Sequence, residues 1–148
     1  MRSYAAARQF MYLFTNLILT SITATSDLKN IARDLHIVQA FPMYPDPQNS
    51  GQPFQNYPLI ETEAIANFED EPKKIFFVEE YIPGQWETFL APETFDTNLN
   101  NYSPAINHLM AAFQHWTYNH THGQLTVTNL KGVVPLMSKP KIVDLNPV

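Results

Sequence analysis

Apolar residues near the start of the chain recur at helical spacing. Phe10, Leu13, Phe14, Leu17 and Ile18 follow an i, i+3, i+4, i+7 pattern, which predicts a helix over residues 4–20. Thr25 or Ser26 can cap a second, shorter helix running to His36, with Leu28, Ile31 and Leu35 on one face. The pattern then breaks. Five prolines between Pro42 and Pro58, with Gly51 among them, predict an irregular loop over 42–58, because proline fixes φ and restricts the residue before it. Ile75 to Val78 is a short apolar run of strand type that ends in Glu79, Glu80 and a Pro83-Gly84 turn. Ser103-Pro104 reads as the cap and first turn of another helix, whose apolar stripe is Ile106, Leu109, Met110, Phe113 and Trp116. His122-Gly123 is turn material. Leu125 and Val127 alternate with polar residues as in a half-buried strand, and a loop follows. Helix, helix, loop, strand, loop, helix, strand, loop is the order of an α+β domain.

The first segment has a second reading. Arg2 and Arg8, an apolar run and Ala24-Thr25-Ser26 also fit a secretory leader. Gln9, Thr15 and Asn16 interrupt what a leader keeps apolar, which favours a core helix. The run is shorter than the ~20 residues a membrane span needs.

Composition narrows the chemistry. At 148 residues the chain suits one small domain, and an apolar fraction of 45% with 13% aromatics is that of a folded one. A net charge of −5 provides no basic field for nucleic acid. With no cysteine, thiol nucleophiles, disulfides and cysteine metal sites are excluded. An intracellular, cytoplasmic protein with neither nucleic acid nor membrane as partner is the expectation. Glu61, Glu63, Glu69, Asp70 and Glu71 form an acidic stretch that reads as a solvated face. His108, His115, His120 and His122 cluster in sequence, but on one helix His108 and His115 stand ~10 Å apart along the axis, too far to share an ion. Glycine-rich phosphate loops and a Gly-x-Ser-x-Gly elbow are missing. Glu79 and Glu80, on opposite faces of a strand end, leave one carboxylate able to face a cleft.

Residues 111–144, AAFQHWTYNHTHGQLTVTNLKGVVPLMSKPKIVD, resemble the core signature of the alpha-type protein kinases, atypical serine/threonine kinases. The matching positions are Ala112-Phe113, His115-Trp116-Thr117-Tyr118, Gly123, Leu125, Val127, Leu130, Gly132-Val133, Pro140 and Ile142, in register without a gap. Residues 76–86, FFVEEYIPGQW, are similar to the family's linker strand, and residues 4–16 to the helix that follows its nucleotide lysine strand.

The resemblance implies a single incomplete alpha-type kinase domain over 1–148, with 42–58 as an insertion. Its fold would be the linker strand, most of the C-terminal lobe and a remnant of the N-lobe helix. It implies ATP and magnesium as cofactors and a protein as substrate or partner. Glu79 stands at the nucleotide-binding position of the linker. Asn129 stands at the catalytic aspartate, and Lys131 and Lys139 at metal-assisting positions, with Ser138 in place of a threonine. His115 stands at a zinc-ligand position whose partners, a later histidine and two cysteines, fall beyond Val148, so the resemblance implies no zinc site. Phosphoryl transfer needs magnesium on the phosphates and a group to orient or deprotonate the hydroxyl. An amide and two ammonium groups supply neither a carboxylate ligand nor a base. The expectation is an impaired kinase, a pseudokinase or fragment. The alternative is a non-enzymatic interaction module on the same scaffold.

Overall fold

In a computed structural model the described residues are 2–43, 75–90 and 101–145. The chain divides into two compact units, residues 40–78 and the remainder. Most of the proline loop and the whole acidic stretch from Glu61 to Glu71 lie outside the described residues.

The larger unit begins with α1 (Arg2–Thr20) and α2 (Ser26–Asp34). Thr25 caps α2, its hydroxyl accepting from the Leu28 N–H at 3.3 Å. The second helix ends two residues before the predicted His36, because His36–Ile37 forms strand β1. On α1 the buried face is Ala7, Met11, Phe14 and Ile18. This corrects the predicted stripe: Leu13 and Leu17 point outward, and Leu17 is 55% exposed. Apolar residues cover so wide an arc of this helix that periodicity alone places the stripe about a sixth of a turn off. Phe14 and Ile18 are common to both faces.

The smaller unit contributes β2 (Ala40–Met43) and most of β3 (Phe76–Glu79), paired as a two-stranded sheet. Pro42, expected to open the irregular loop, is in β2, where a strand with one described neighbour tolerates the missing donor. The apolar run forms a strand but is not buried: Ile75, Phe76 and Phe77 are exposed.

Returning to the larger unit, β4 (Glu87–Thr88) precedes α3 (Pro104–His120). Ser103 caps α3 and Pro104 opens it, as its sequence predicts. Four strands follow: β5 (Leu125–Thr128), β6 (Lys131–Val133), β7 (Leu136–Ser138) and β8 (Lys141–Asp144). The predicted closing loop is therefore mostly strand. Among the described residues β1, β7, β6 and β4 form a sheet in that order, with β1 parallel to β7 and the other neighbours antiparallel. β5 and β8 pair antiparallel as a separate ribbon. The turn between β6 and β7 contains a cis Val134–Pro135 bond.

Met11, Phe14, Ile37, Leu109, Met110, Phe113, Val127, Leu130 and Met137 belong to one buried cluster that joins α1, α3 and the strands. Phe14 meets Phe113 and Trp116 at ring-centroid distances of 5.4 and 5.6 Å. These contacts hold α1 to α3 and fix where the chain's first turn lies relative to its last strands.

Threonines tie α3 to β5. The Thr117 hydroxyl donates to the Gln114 carbonyl at 2.7 Å and accepts from the Val127 N–H at 3.1 Å. Thr121 donates to the Leu125 carbonyl at 2.9 Å and accepts from its N–H at 3.2 Å. These side chains bind the first strand after the helix, so the start of β5 has a fixed height against α3.

Thr117 is fully buried. Replacing it with the isosteric valine would leave the buried Val127 N–H unpaired. Thr117→Val is expected to lower the unfolding free energy by about 1–3 kcal/mol in urea titration, and Thr117→Ser by less.

Candidate functional site

Four strand ends converge. β5 runs out into Asn129, β6 begins at Lys131, β7 ends at Ser138, and Lys139 and Pro140 lead into β8. The pairing of Thr128 with Lys141 brings Asn129 alongside Lys139, and the pairing of Lys131 with Ser138 brings β6 to the same place. Sheet registry thus gathers four polar positions that the sequence spreads over eleven residues.

Two of them adopt left-handed backbone, Asn129 at φ 60° and Lys139 at φ 57°. Asparagine accepts that conformation readily; lysine does so at a cost. Two hydrogen bonds hold Lys139 there. Its N–H donates to the Tyr4 hydroxyl at 3.1 Å, and its carbonyl accepts from Asn129 Nδ2 at 3.0 Å. Between Leu130 and Val133 the chain needs Gly132: a Cβ there would fall onto the Leu136 carbonyl oxygen.

Glu79, the last residue of β3, reaches into this cluster. Lys139 Nζ donates to Glu79 Oε1 at 2.6 Å, and the Ser138 hydroxyl donates to Glu79 Oε2. Tyr4 lies 3.0 Å from Ser138 Oγ. Tyr4 accepts from the Lys139 N–H, and its own hydroxyl lies within donating reach of both Ser138 and Glu79. The result is a closed circuit of Lys139 backbone, Tyr4, Ser138, Glu79 and Lys139 ammonium. Ser138 is fully buried, the Glu79 side chain is 23% exposed and that of Lys139 51%.

Burial pushes the Glu79 carboxyl up, but the Lys139 ammonium and the Ser138 and Tyr4 hydroxyls outweigh it and hold the pKa below the usual 4.5. The hydrogen bond to Glu79 raises the Lys139 ammonium above its usual 10.5, against the opposing effect of burial. Both shifts favour the charged pair.

The structure therefore brings together Glu79, Asn129, Lys131 and Lys139 from the sequence reading. It does not bring in His115, which is exposed on α3. Among the described residues no group of three or more His, Cys, Asp or Glu could hold a metal ion. Nearby, His120 stacks on Trp116 at 4.5 Å and 17°, and Phe10 stands edge-on to both rings. The sequence reading gave Tyr4 no part in the site, and it took Ser138 only as a threonine substitute. Neither carries a local signal, because their bond spans 134 positions.

Magnesium does not fit this donor set. It requires hard oxygen ligands, chiefly carboxylate and water. Both Glu79 oxygens are engaged, Asn129 offers one amide oxygen, and Lys131 and Lys139 are cations.

The pair makes stability depend on pH at both ends. The depressed Glu79 pKa contributes stability that is present above pH 4.5 and lost as pH falls through the lower folded value. The raised Lys139 pKa contributes stability that is present below pH 10.5 and lost as pH rises through the higher folded value. Lys139 is half exposed, so solvent screening limits the contribution to about 1 kcal/mol. Between pH 6 and pH 3, wild type is expected to lose about 1 kcal/mol more than Glu79→Gln in urea titrations.

Comparison with known proteins fits this geometry. The Alpha-kinase family model matches residues 1–147. Transient receptor potential cation channel subfamily M member 6 of Homo sapiens is 32% identical over 78 residues, which is 47% of this chain and 4% of the channel. Member 7 of Rattus norvegicus matches to the same extent. Among solved structures, the apoenzyme alpha-kinase domain of myosin-II heavy chain kinase A superposes with a TM-score of 0.55 at 15% identity, covering 95% of this chain and 43% of that one. The same domain in complex with adenosine gives 0.55 at 16% identity, covering 95% and 40%. The chain thus spans less than half the length of the solved domains that share its fold, and a small fraction of the channels. With the family model matched over nearly its whole length, the chain belongs to the alpha-kinase family.

Proposed function

We propose that this chain is a kinase-like domain that works by binding and does not carry out magnesium-dependent phosphoryl transfer. The observation behind this reading is the Glu79–Lys139 ion pair. The family resemblance puts Glu79 at the nucleotide-binding position and Lys139 at a metal-assisting one; here each is the other's partner at 2.6 Å. The carboxylate is spent on an ammonium, and the ammonium stands where a cation would have to bind. Asn129, at the catalytic position, retains an oxygen that can orient a hydroxyl but cannot accept its proton. Its Nδ2 is committed to the loop that carries Lys139. A solved alpha-kinase domain described as inactive was crystallised with ATP. Binding without transfer is therefore a state this fold supports, and a protein partner for such a domain is part of the proposal.

The substitutions are structurally coupled, which makes the reading testable. Aspartate at 129 would set a carboxylate against the Lys139 carbonyl, and aspartate at 139 would set one against Glu79. Grafted in place of the matching segment of a complete alpha-kinase domain, this chain is expected to reduce radiolabelled phosphate transfer from ATP by at least about 100-fold. Asn129→Asp, Lys131→Gln and Lys139→Asp together should restore most of it in the graft. In the isolated chain the same three changes should instead cost about 2 kcal/mol of stability. Full transfer by the unsubstituted graft would contradict the reading.

A further inference from the structure

The misfit of magnesium raises the question of what the site does hold. Charge is segregated along this chain. It carries −5 overall, yet no aspartate or glutamate occurs between Asp96 and Asp144, while Lys131, Lys139 and Lys141 all do. The fold concentrates that excess. Lys131 pairs directly with Ser138 across β6 and β7, and residues so paired project from the same face with their Cβ atoms ~5 Å apart. Lys139 follows Ser138 in the chain and is half exposed, its ammonium on Glu79. Lys141 is exposed and opposite Thr128. Among the described residues of the cluster Glu79 is the one carboxylate and Lys139 is its ammonium partner, so Lys131, in register with Ser138, leaves a net positive charge after the ion pair forms.

From this geometry we propose that the site binds a polyphosphate directly, without a metal. Lys131 and Lys139 contact the phosphoryl oxygens, and Lys139 exchanges its Glu79 partner for phosphate. The proposal rests on the non-catalytic reading and gives it a ligand class: a nucleoside triphosphate or an inorganic polyphosphate. The exchange is feasible because Lys139 has solvent access and its backbone stays fixed by Tyr4 and Asn129, so only the side chain moves. Glu79 then keeps the Ser138 hydroxyl as a partner. Metal dependence follows with inverted sign. Magnesium neutralises part of the phosphate charge, and the ion is repelled by the lysines, so it weakens binding where a metal-dependent site would require it.

Isothermal titration of the full chain separates the possibilities. ATP in EDTA, inorganic tripolyphosphate in EDTA and ATP with excess magnesium are the three arms. Both ligands should bind in EDTA, and excess magnesium should weaken ATP roughly tenfold. Lys131→Gln, which leaves the ion pair untouched, should weaken both ligands roughly tenfold while circular dichroism remains unchanged. Glu79→Gln should tighten binding several-fold, because it removes the carboxylate that competes for Lys139; a purely structural pair predicts no gain. Absence of tripolyphosphate binding, ATP binding that requires magnesium, or weaker binding by Glu79→Gln would each overturn the proposal. Magnesium-dependent binding without phosphate transfer would overturn this inference alone. Transfer by the unsubstituted graft would overturn the non-catalytic reading itself.

Discussion

The carboxylate of Glu79 is the group on which the site depends. It sits mostly buried at the end of β3, and a buried carboxylate is costly unless charge and hydrogen bonds compensate it. Lys139 supplies the charge and Ser138 the hydrogen bond. The arrangement constrains residues well beyond itself. Tyr4 lies against Ser138 Oγ and accepts from the Lys139 N–H, and it belongs to the helix α1 that packs through Phe14 on Phe113 and Trp116. Lys139 reaches Glu79 from a left-handed backbone, which Tyr4 and Asn129 hold from either side. The first helix of the chain and the last strands are joined at this point.

That dependence changes how the substituted positions are understood. Taken from the sequence, Asn129, Lys131 and Lys139 are a list of losses: a base, a helper and a ligand. In the structure, Asn129 donates where aspartate could not, and Lys139 neutralises a carboxylate that would otherwise stand uncompensated. The Lys139 charge is largely met by Glu79, so the unmatched positive charge of the cluster comes from Lys131. Asn129 and Lys139, at positions the resemblance assigns to catalysis, both have partners within the site.

The legible features were those encoded locally. Ser103-Pro104 at the start of α3 and Thr25 at the start of α2 could be read because a cap is set by neighbours in sequence. Strand β5 could be read from the alternation of Leu125 and Val127, although its burial does not alternate, since Thr128 is buried beside Val127. The motif spacing gave the family and grouped Asn129, Lys131 and Lys139, since positions in register with a fold signature keep their places in the fold. The rest depended on distant partners. β6, β7 and β8 have three or four residues each and are punctuated by Pro135 and Pro140, so periodicity cannot register them; their pairing is what makes them strands. The buried face of α1 was displaced because the helix is apolar over a wide arc and α3 decides which part is covered. The partners of Ser138 and Lys139 at positions 4 and 79 come from elements that no spacing rule connects.

A double-mutant cycle on Glu79 and Lys139 tests the central claim most directly. Unfolding free energies would be measured at pH 7 for wild type, Glu79→Gln, Lys139→Gln and the double variant. If the pair is the mutual partner described above, the double variant costs less than the sum of the singles, with a coupling of about 1 kcal/mol. Strictly additive losses would contradict it, because two groups that do not interact cannot close the site.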